Sequence, residues 1–287
     1  GERHLPSHYR TISIIPIISK LFSRMLLGRL DLKLQENQSC DQAGFRADFS
    51  CEDHLLTITL LAEAMMERQQ PLRVAALDFQ KAFDTISHQA VWKALGKQQI
   101  EAVYIQVLQE MYSDQTARFS TCEKSMSFET KRGVKQGDPI SPALFNAVVE
   151  QVMRKLQPKW RAKGYGISLQ TGQRETLTNL RFADTILLIG VSLKQVSEML
   201  TDIAKATSEV GLGLRMGKAK LLSNGIGRMT TSRKVSVLNK EVEVLPPWKA
   251  TAYLGKELCL SNVHDTEIES RVRKAWAELN KLQIRVV

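Results

Sequence analysis

The chain has 287 residues, 43% of them apolar, and a mean hydropathy of −0.20. That composition excludes a disordered chain and leaves room for one large domain or two small ones. A net charge of +10 and a pI near 9.5 suit a polyanionic partner, and equally a basic protein without one.

No apolar run approaches the ~20 residues of a membrane-spanning helix, so no membrane partner is expected, and no signal peptide is visible. Cys40, Cys51, Cys122 and Cys259 include no closely spaced pair. Neither a zinc knuckle nor a redox pair is indicated, and the thiols are expected to be reduced and mostly buried, as in an intracellular protein. Gly1 is not a natural start and the chain stops within a basic amphipathic run, so it reads as a piece of a longer protein.

In chain order, ISIIPIISKLFSRMLLGRLDLKLQE predicts a helix with Ile17, Leu21, Met25 and Leu32 on its apolar stripe and Lys20, Arg24 and Arg29 largely on another face. Those cations read either as phosphate ligands on a lid or as a solvated face. Arg46 lies in the loop before the next helix and is open to the same two readings. Ser50 and Asp53 have capping-box spacing and open LLTITLLAEAMMERQQ, which Pro71 ends.

Val74 to His88, VAALDFQKAFDTISH, carries the chemistry. A short buried strand delivers Asp78 at its end. A carboxylate there is costly unless a cation sits on it, and a divalent metal is one such cation. Ser87 caps the next helix. Ile100, Val103, Val107 and Met111 stripe another, and ARFSTCEKSMSFET alternates as two antiparallel strands.

RGVKQGDPISPALFNAVVE places Gln136 beside Gly137, where backbone can approach a ligand while an amide donates and accepts; a plain turn into a helix capped by Ser141 reads as well. LRFADTILLIG predicts a β-hairpin with Asp184 at its tip. Asp78 and Asp184 on neighbouring strands form a pair suited to two metal ions about 3.5–4 Å apart and in-line phosphoryl transfer. Ser192 caps a helix that Gly211 stops. Lys218 and Lys220 follow in a loop entering a strand, and Asp265 caps a last helix whose seam is Ile268, Val272, Ala275, Leu279 and Leu282.

Read in order, these segments resemble one family. YRTISIIPIISKLFSRML, QAGFRADFSCEDHL, ALDFQKAFDTISH, GVKQGDPISPALFN, RFADTILL, GLGLRMGKAKLL and AYLGKEL resemble the successive motifs of the reverse transcriptase domain of non-LTR (LINE-type) retrotransposons, relatives of group II intron reverse transcriptases.

The resemblance implies an α+β fold with right-hand polymerase architecture. Residues 1–73 would be fingers. Residues 74–260 would be an antiparallel-sheet palm with finger-like insertions around 85–130, and residues 261–287 the start of a helical thumb. It also implies RNA-directed DNA polymerase activity with Mg²⁺ or Mn²⁺, an RNA template, a DNA primer and deoxynucleoside triphosphates, in the nucleus. Asp78 and Asp184 would hold metal. Phe83 would be the steric gate that excludes a 2′-hydroxyl, and Gln136 would line the nucleotide pocket. Arg10, Lys20 and Arg46 would neutralise triphosphate, Lys218 would be general acid to pyrophosphate, and Arg271, Arg273 and Lys274 would track nucleic-acid phosphates.

One departure bears on activity. The family's hairpin ends in two aspartates, and here the second is Thr185. Thr11 after Arg10, Asp48, and Ala219 after Lys218 depart less. The expectation is a decaying mobile-element copy with impaired catalysis. A non-catalytic nucleic-acid-binding relic of the same fold is the alternative, and a domain co-opted for protein interaction the third reading.

Overall fold

The computed structural model describes residues 12–120, 124–170, 174–227 and 233–283. The first half forms α1 (Ile17–Glu36), α2 (Cys51–Glu67), β1 (Arg73–Gln80), α3 (Ala82–Thr85), α4 (His88–Lys97), α5 (Ala102–Tyr112), β2 (Thr116–Ser120), β3 (Ser125–Glu129) and α6 (Ser141–Ala162). The second half forms β4 (Ile167–Gln170), β5 (Arg174–Leu177), β6 (Asn179–Phe182), β7 (Thr185–Gly190), α7 (Leu193–Ser208), β8 (Gly213–Leu214), β9 (Lys220–Ser223), β10 (Lys234–Val237), β11 (Lys240–Val244), β12 (Thr251–Tyr253), β13 (Lys256–Leu258) and α8 (Asp265–Gln283). A 3₁₀ turn, Met216–Lys218, precedes β9.

The chain divides into two units. One comprises residues 1–47, 79–159 and 202–214; the other comprises 48–78, 160–201 and 215–287. The second holds strands in the order β10-β11-β9-β1-β7-β6. Neighbours are antiparallel except β11 with β9. β1 is central because its side chains are apolar on both faces, the pattern of a strand covered on both sides. Its core joins Ile58, Ala62 and Met65 of α2 to Val74, Leu187, Ile189 and Leu222 of the sheet and to Tyr253 and Leu258 of the β12–β13 hairpin. The capping box is formed as the spacing predicts: Asp53 N donates to Ser50 Oγ (3.3 Å) and Ser50 N to Asp53 Oδ2 (2.7 Å).

In the first unit α4, α5 and α6 bury Val91, Leu95, Leu108, Leu144, Val148 and Val152, and Phe79 meets Phe145 edge-on. Gly211, at φ +83, is where α7's trailing turn meets the chain after α3. A Cβ there would lie 2.7 Å from the Thr85 carbonyl oxygen, while Ser87 N donates to Val210 O at 2.9 Å.

Several local expectations are corrected. On α1 the buried line is Ser23, Leu26, Leu30 and Leu34, whereas Ile17, Leu21, Met25 and Leu32 are exposed; the helix is apolar round most of its circumference, so spacing did not select the inner stripe. On α5 the buried residues are Leu108 and Tyr112, and Val103 is exposed. The turn into α6 is closed by Asp138, whose Oδ1 accepts from Ile140 N at 3.4 Å, rather than by Ser141. α8 is capped by Asn262, which accepts from Asp265 N at 3.1 Å, rather than by Asp265. Its seam residues Ile268, Val272 and Leu279 are exposed. Of the described cysteines only Cys259 is buried; Cys40 is exposed and Cys51 intermediate. Among the described residues no helix is long and apolar enough to cross a membrane.

Candidate active site

The second unit brings Asp78 and the Asp184 hairpin together. β6 and β7 pair with Phe182 opposite Thr185, so Ala183 and Asp184 form a two-residue turn. Ala183 takes φ +54, the left-handed conformation that a two-residue hairpin turn requires. β7 also pairs with β1, and in that register Asp78 stands opposite Thr185. The residue in place of the family's second hairpin aspartate is therefore the direct cross-strand partner of Asp78.

A residue passed over in the sequence completes this corner. Arg215 N donates to Asp78 O at 2.9 Å, and its Nη1 lies 3.6 Å from Asp78 Oδ2, with both side chains about a third exposed. The signal for it was weak: an arginine between a two-residue strand and a 3₁₀ turn has no motif meaning until β1 is known to run alongside. Lys218 ends that turn and is exposed. Lys220 is committed to an ion pair with Glu243. Among the described residues no group of three or more His, Cys, Asp or Glu is placed to hold a metal. The carboxylates in this corner are those of Asp78 and Asp184, and with the Thr185 hydroxyl they make an all-oxygen set.

The first unit carries Phe83, Gln136, Arg46 and Lys20. Phe83 is stacked on Phe145 (centroids 5.2 Å, 18° between planes) and met edge-on by Phe45 (6.3 Å, 82°). Gln136 is half-buried, and its carbonyl accepts from Ser13 N at 2.9 Å. The Arg46 guanidinium ties the turn after α1, donating to Gln35 Oε1 (2.9 Å), Ser39 O (2.7 Å) and Gln42 O (3.0 Å). Lys20 is exposed on α1. Arg10 lies outside the described residues. On α8, Arg271 pairs with Glu267, and Arg273 and Lys274 are exposed.

An aspartate at the end of a central strand, facing a tight antiparallel hairpin with a second aspartate in its turn, defines a candidate phosphoryl-transfer centre on a palm-like sheet. Residues 2–258 match the family described as reverse transcriptase (RNA-dependent DNA polymerase), and the chain belongs to that family. Its relatives include the Pol polyprotein of the type-1 retrotransposable element R2 of Popillia japonica, 30% identical over 91% of this chain and 36% of that protein. The Pol polyprotein of the type-2 element R2DM of Drosophila melanogaster is 28% identical over 74% of this chain and 19% of that protein. The chain thus spans about a third or less of these relatives. Among solved structures, apo telomerase of Candida tropicalis matches with a TM-score of 0.53 at 14% identity, over 77% of this chain and 43% of that one. That likeness is one of fold, a right-hand polymerase.

Proposed function

We propose that this chain is the polymerising domain of a non-LTR retrotransposon reverse transcriptase, which extends a DNA primer on an RNA template with deoxynucleoside triphosphates. The observation that carries the reading is the register that sets Asp78 opposite the residue following Asp184 in the hairpin.

The family generally uses divalent metal ions. Two carboxylates with a hydroxyl fit Mg²⁺ or Mn²⁺, hard cations commonly held by one or two carboxylates plus substrate phosphates. Asp78 and Asp184 would hold the metal, which when bound neutralises charge on the attacking and leaving oxygens. Phe83, gripped between Phe145 and Phe45, has little freedom to swing away from a sugar, and a fixed ring excludes a 2′-hydroxyl by bulk. The main-chain carbonyl of Gln136 accepts from Ser13 N, which fixes the backbone from which its side-chain amide would meet the nucleotide. Lys218, exposed at the end of its turn, is the proton donor to the departing pyrophosphate. Lys20, Arg10 and Arg46 would neutralise the triphosphate, Arg46 from the turn that its guanidinium ties. Arg273 and Lys274 track primer–template phosphates. The fingers, palm and thumb assignments given above belong to the same proposal.

Primer extension on an RNA template with Mg²⁺ or Mn²⁺ tests the reading. Extension that is lost in Asp78→Asn supports it; extension indifferent to that change removes Asp78 from the chemistry. Thr185 favours one second reading, a domain that binds RNA–DNA duplex without turnover. It is distinguished by salt-dependent duplex binding that survives Asp78→Asn in a chain that extends no primer.

A further inference from the structure

We propose that His88 is a positioning residue for sugar discrimination, fixing through the Gly133 carbonyl the backbone on which Phe83 sits. The inference rests on the reading of Phe83 as the steric gate.

Phe83 lies in α3, a single turn that begins after Lys81 at φ +49. One turn of helix has little stability of its own, so its placement depends on outside ties. Beside the ring contacts of Phe83, two backbone ties come from one short segment: Val134 N donates to Phe83 O (2.6 Å) and Gly133 N to Ile86 O (2.8 Å). Gly133 has φ +90, and a Cβ on it would lie 2.7 Å from Asp84 O and 2.9 Å from Phe83 O. The two backbones touch more closely than any side-chain-bearing residue permits.

The Gly133 carbonyl is in turn 2.7 Å from His88 Nε2. A carbonyl only accepts, so in this contact His88 is the donor, through Nε2. The ring is held edge-on by Tyr112 (5.2 Å, 74°) and tilted against Trp92 (6.1 Å). Lys135 lies over Tyr112, 5.6 Å from the ring centroid, and the next residue is Gln136. One connected set therefore ties the gate and the glutamine of the nucleotide pocket to His88, a residue with no chemical step of its own.

The test measures dissociation constants of a deoxy- and a ribonucleoside triphosphate for the chain bound to an RNA–DNA duplex with a dideoxy-terminated primer, with Mg²⁺, so that no turnover is required. His88→Phe keeps a ring and removes the donor; His88→Gln keeps a donor. The expected result is a fall of about tenfold in the ribo-to-deoxy discrimination ratio for His88→Phe, the scale of one lost hydrogen bond, with deoxynucleotide affinity nearly unchanged and most discrimination restored in His88→Gln. Phe83→Val lowers the ratio, and adding His88→Phe to it changes nothing further, because both act through the same ring.

Effects that multiply, or a His88→Phe chain that weakens both nucleotides equally, overturn the inference. If Phe83→Val alone leaves the ratio unchanged, or no nucleotide binds, the reading of Phe83 fails and the inference with it. Should His88→Phe not fold, Trp92→Leu loosens the same ring, and a folded Trp92→Leu with an unchanged ratio counts against the inference.

Discussion

Replacing Thr185 with aspartate restores the missing carboxylate and makes a prediction whose size follows from the register. Residue 185 faces Asp78 across an antiparallel ladder, where opposed Cα atoms lie about 4.5–5.5 Å apart and side chains share a face. Two unit charges at about 5 Å repel by about 3 kcal/mol at an effective dielectric of 20 and by about 1 kcal/mol in water. Both positions are partly exposed, and Arg215 beside Asp78 offsets some of the repulsion.

Thr185→Asp is therefore expected to destabilise the chain by about 1–3 kcal/mol in chelator, at about 2–4 °C per kcal/mol in the apparent midpoint. Mg²⁺ offsets this. Binding at a hundredfold excess over the dissociation constant adds about 2.7 kcal/mol, comparable to the upper end of the repulsion, so Thr185→Asp gains more from Mg²⁺ than the parent does. Primer extension rises by about 10²–10³, the usual effect of one preorganised electrostatic group. Thermal melts with and without Mg²⁺ read the first part and extension rates the second. A variant as stable as the parent in chelator, with no larger Mg²⁺ shift, would refute the placement of residue 185 beside a metal site.

Arg215→Ala removes a partly exposed ion pair and costs under about 1 kcal/mol; because a cation leaves the side of Asp78, the Mg²⁺ concentration for half-maximal extension is expected to fall, read by metal titration. Burial pushes the Tyr112 hydroxyl up from 10.0 to about 12. The folded chain then holds that proton more tightly than the unfolded one, so the contribution is complete below pH ~10 and disappears as pH rises towards ~12, about 3 kcal/mol in all; urea unfolding from pH 9 to 12 should show a shallower alkaline fall for Tyr112→Phe. Gly211→Ala puts a Cβ 2.7 Å from the Thr85 carbonyl oxygen at φ +83 and is expected to lower stability by about 1–3 kcal/mol in denaturant titration.

What was legible in the sequence was what short-range chemistry decides. The Ser50–Asp53 box, the hairpin at Asp184, the stop at Gly211 and the strand carrying Asp78 each follow from residues within a few positions of one another, and each is present, though that strand runs on to Gln80. What was not legible depends on partners far away in the chain. The buried stripe of α1 is chosen by what packs against it, and its sequence offers two apolar stripes. Arg46 looks like any loop arginine until the carbonyls of Ser39 and Gln42 converge on it. Asn262 and Asp138 take capping positions at which Asp265 and Ser141 are equally good candidates by composition.

Thr185 joins the two kinds of information. The sequence shows a missing charge but not what that charge would face. The ladder shows that the charge is missing directly across from Asp78, and that Arg215 brings a cation to the same carboxylate. A corner with one negative group fewer and an arginine beside it has a weaker field for a dication than the motif's two hairpin aspartates would provide. The native chain should then need more Mg²⁺ than Thr185→Asp to reach the same occupancy, and Thr185→Asp combined with Arg215→Ala should need the least. Because both substitutions act on one carboxylate within a few ångströms, their effects on metal affinity should not simply add. Metal titrations of the four chains, read by the shift in unfolding midpoint, would show this coupling whether or not any of them turns over. Additive shifts would mean that residues 185 and 215 do not share a site.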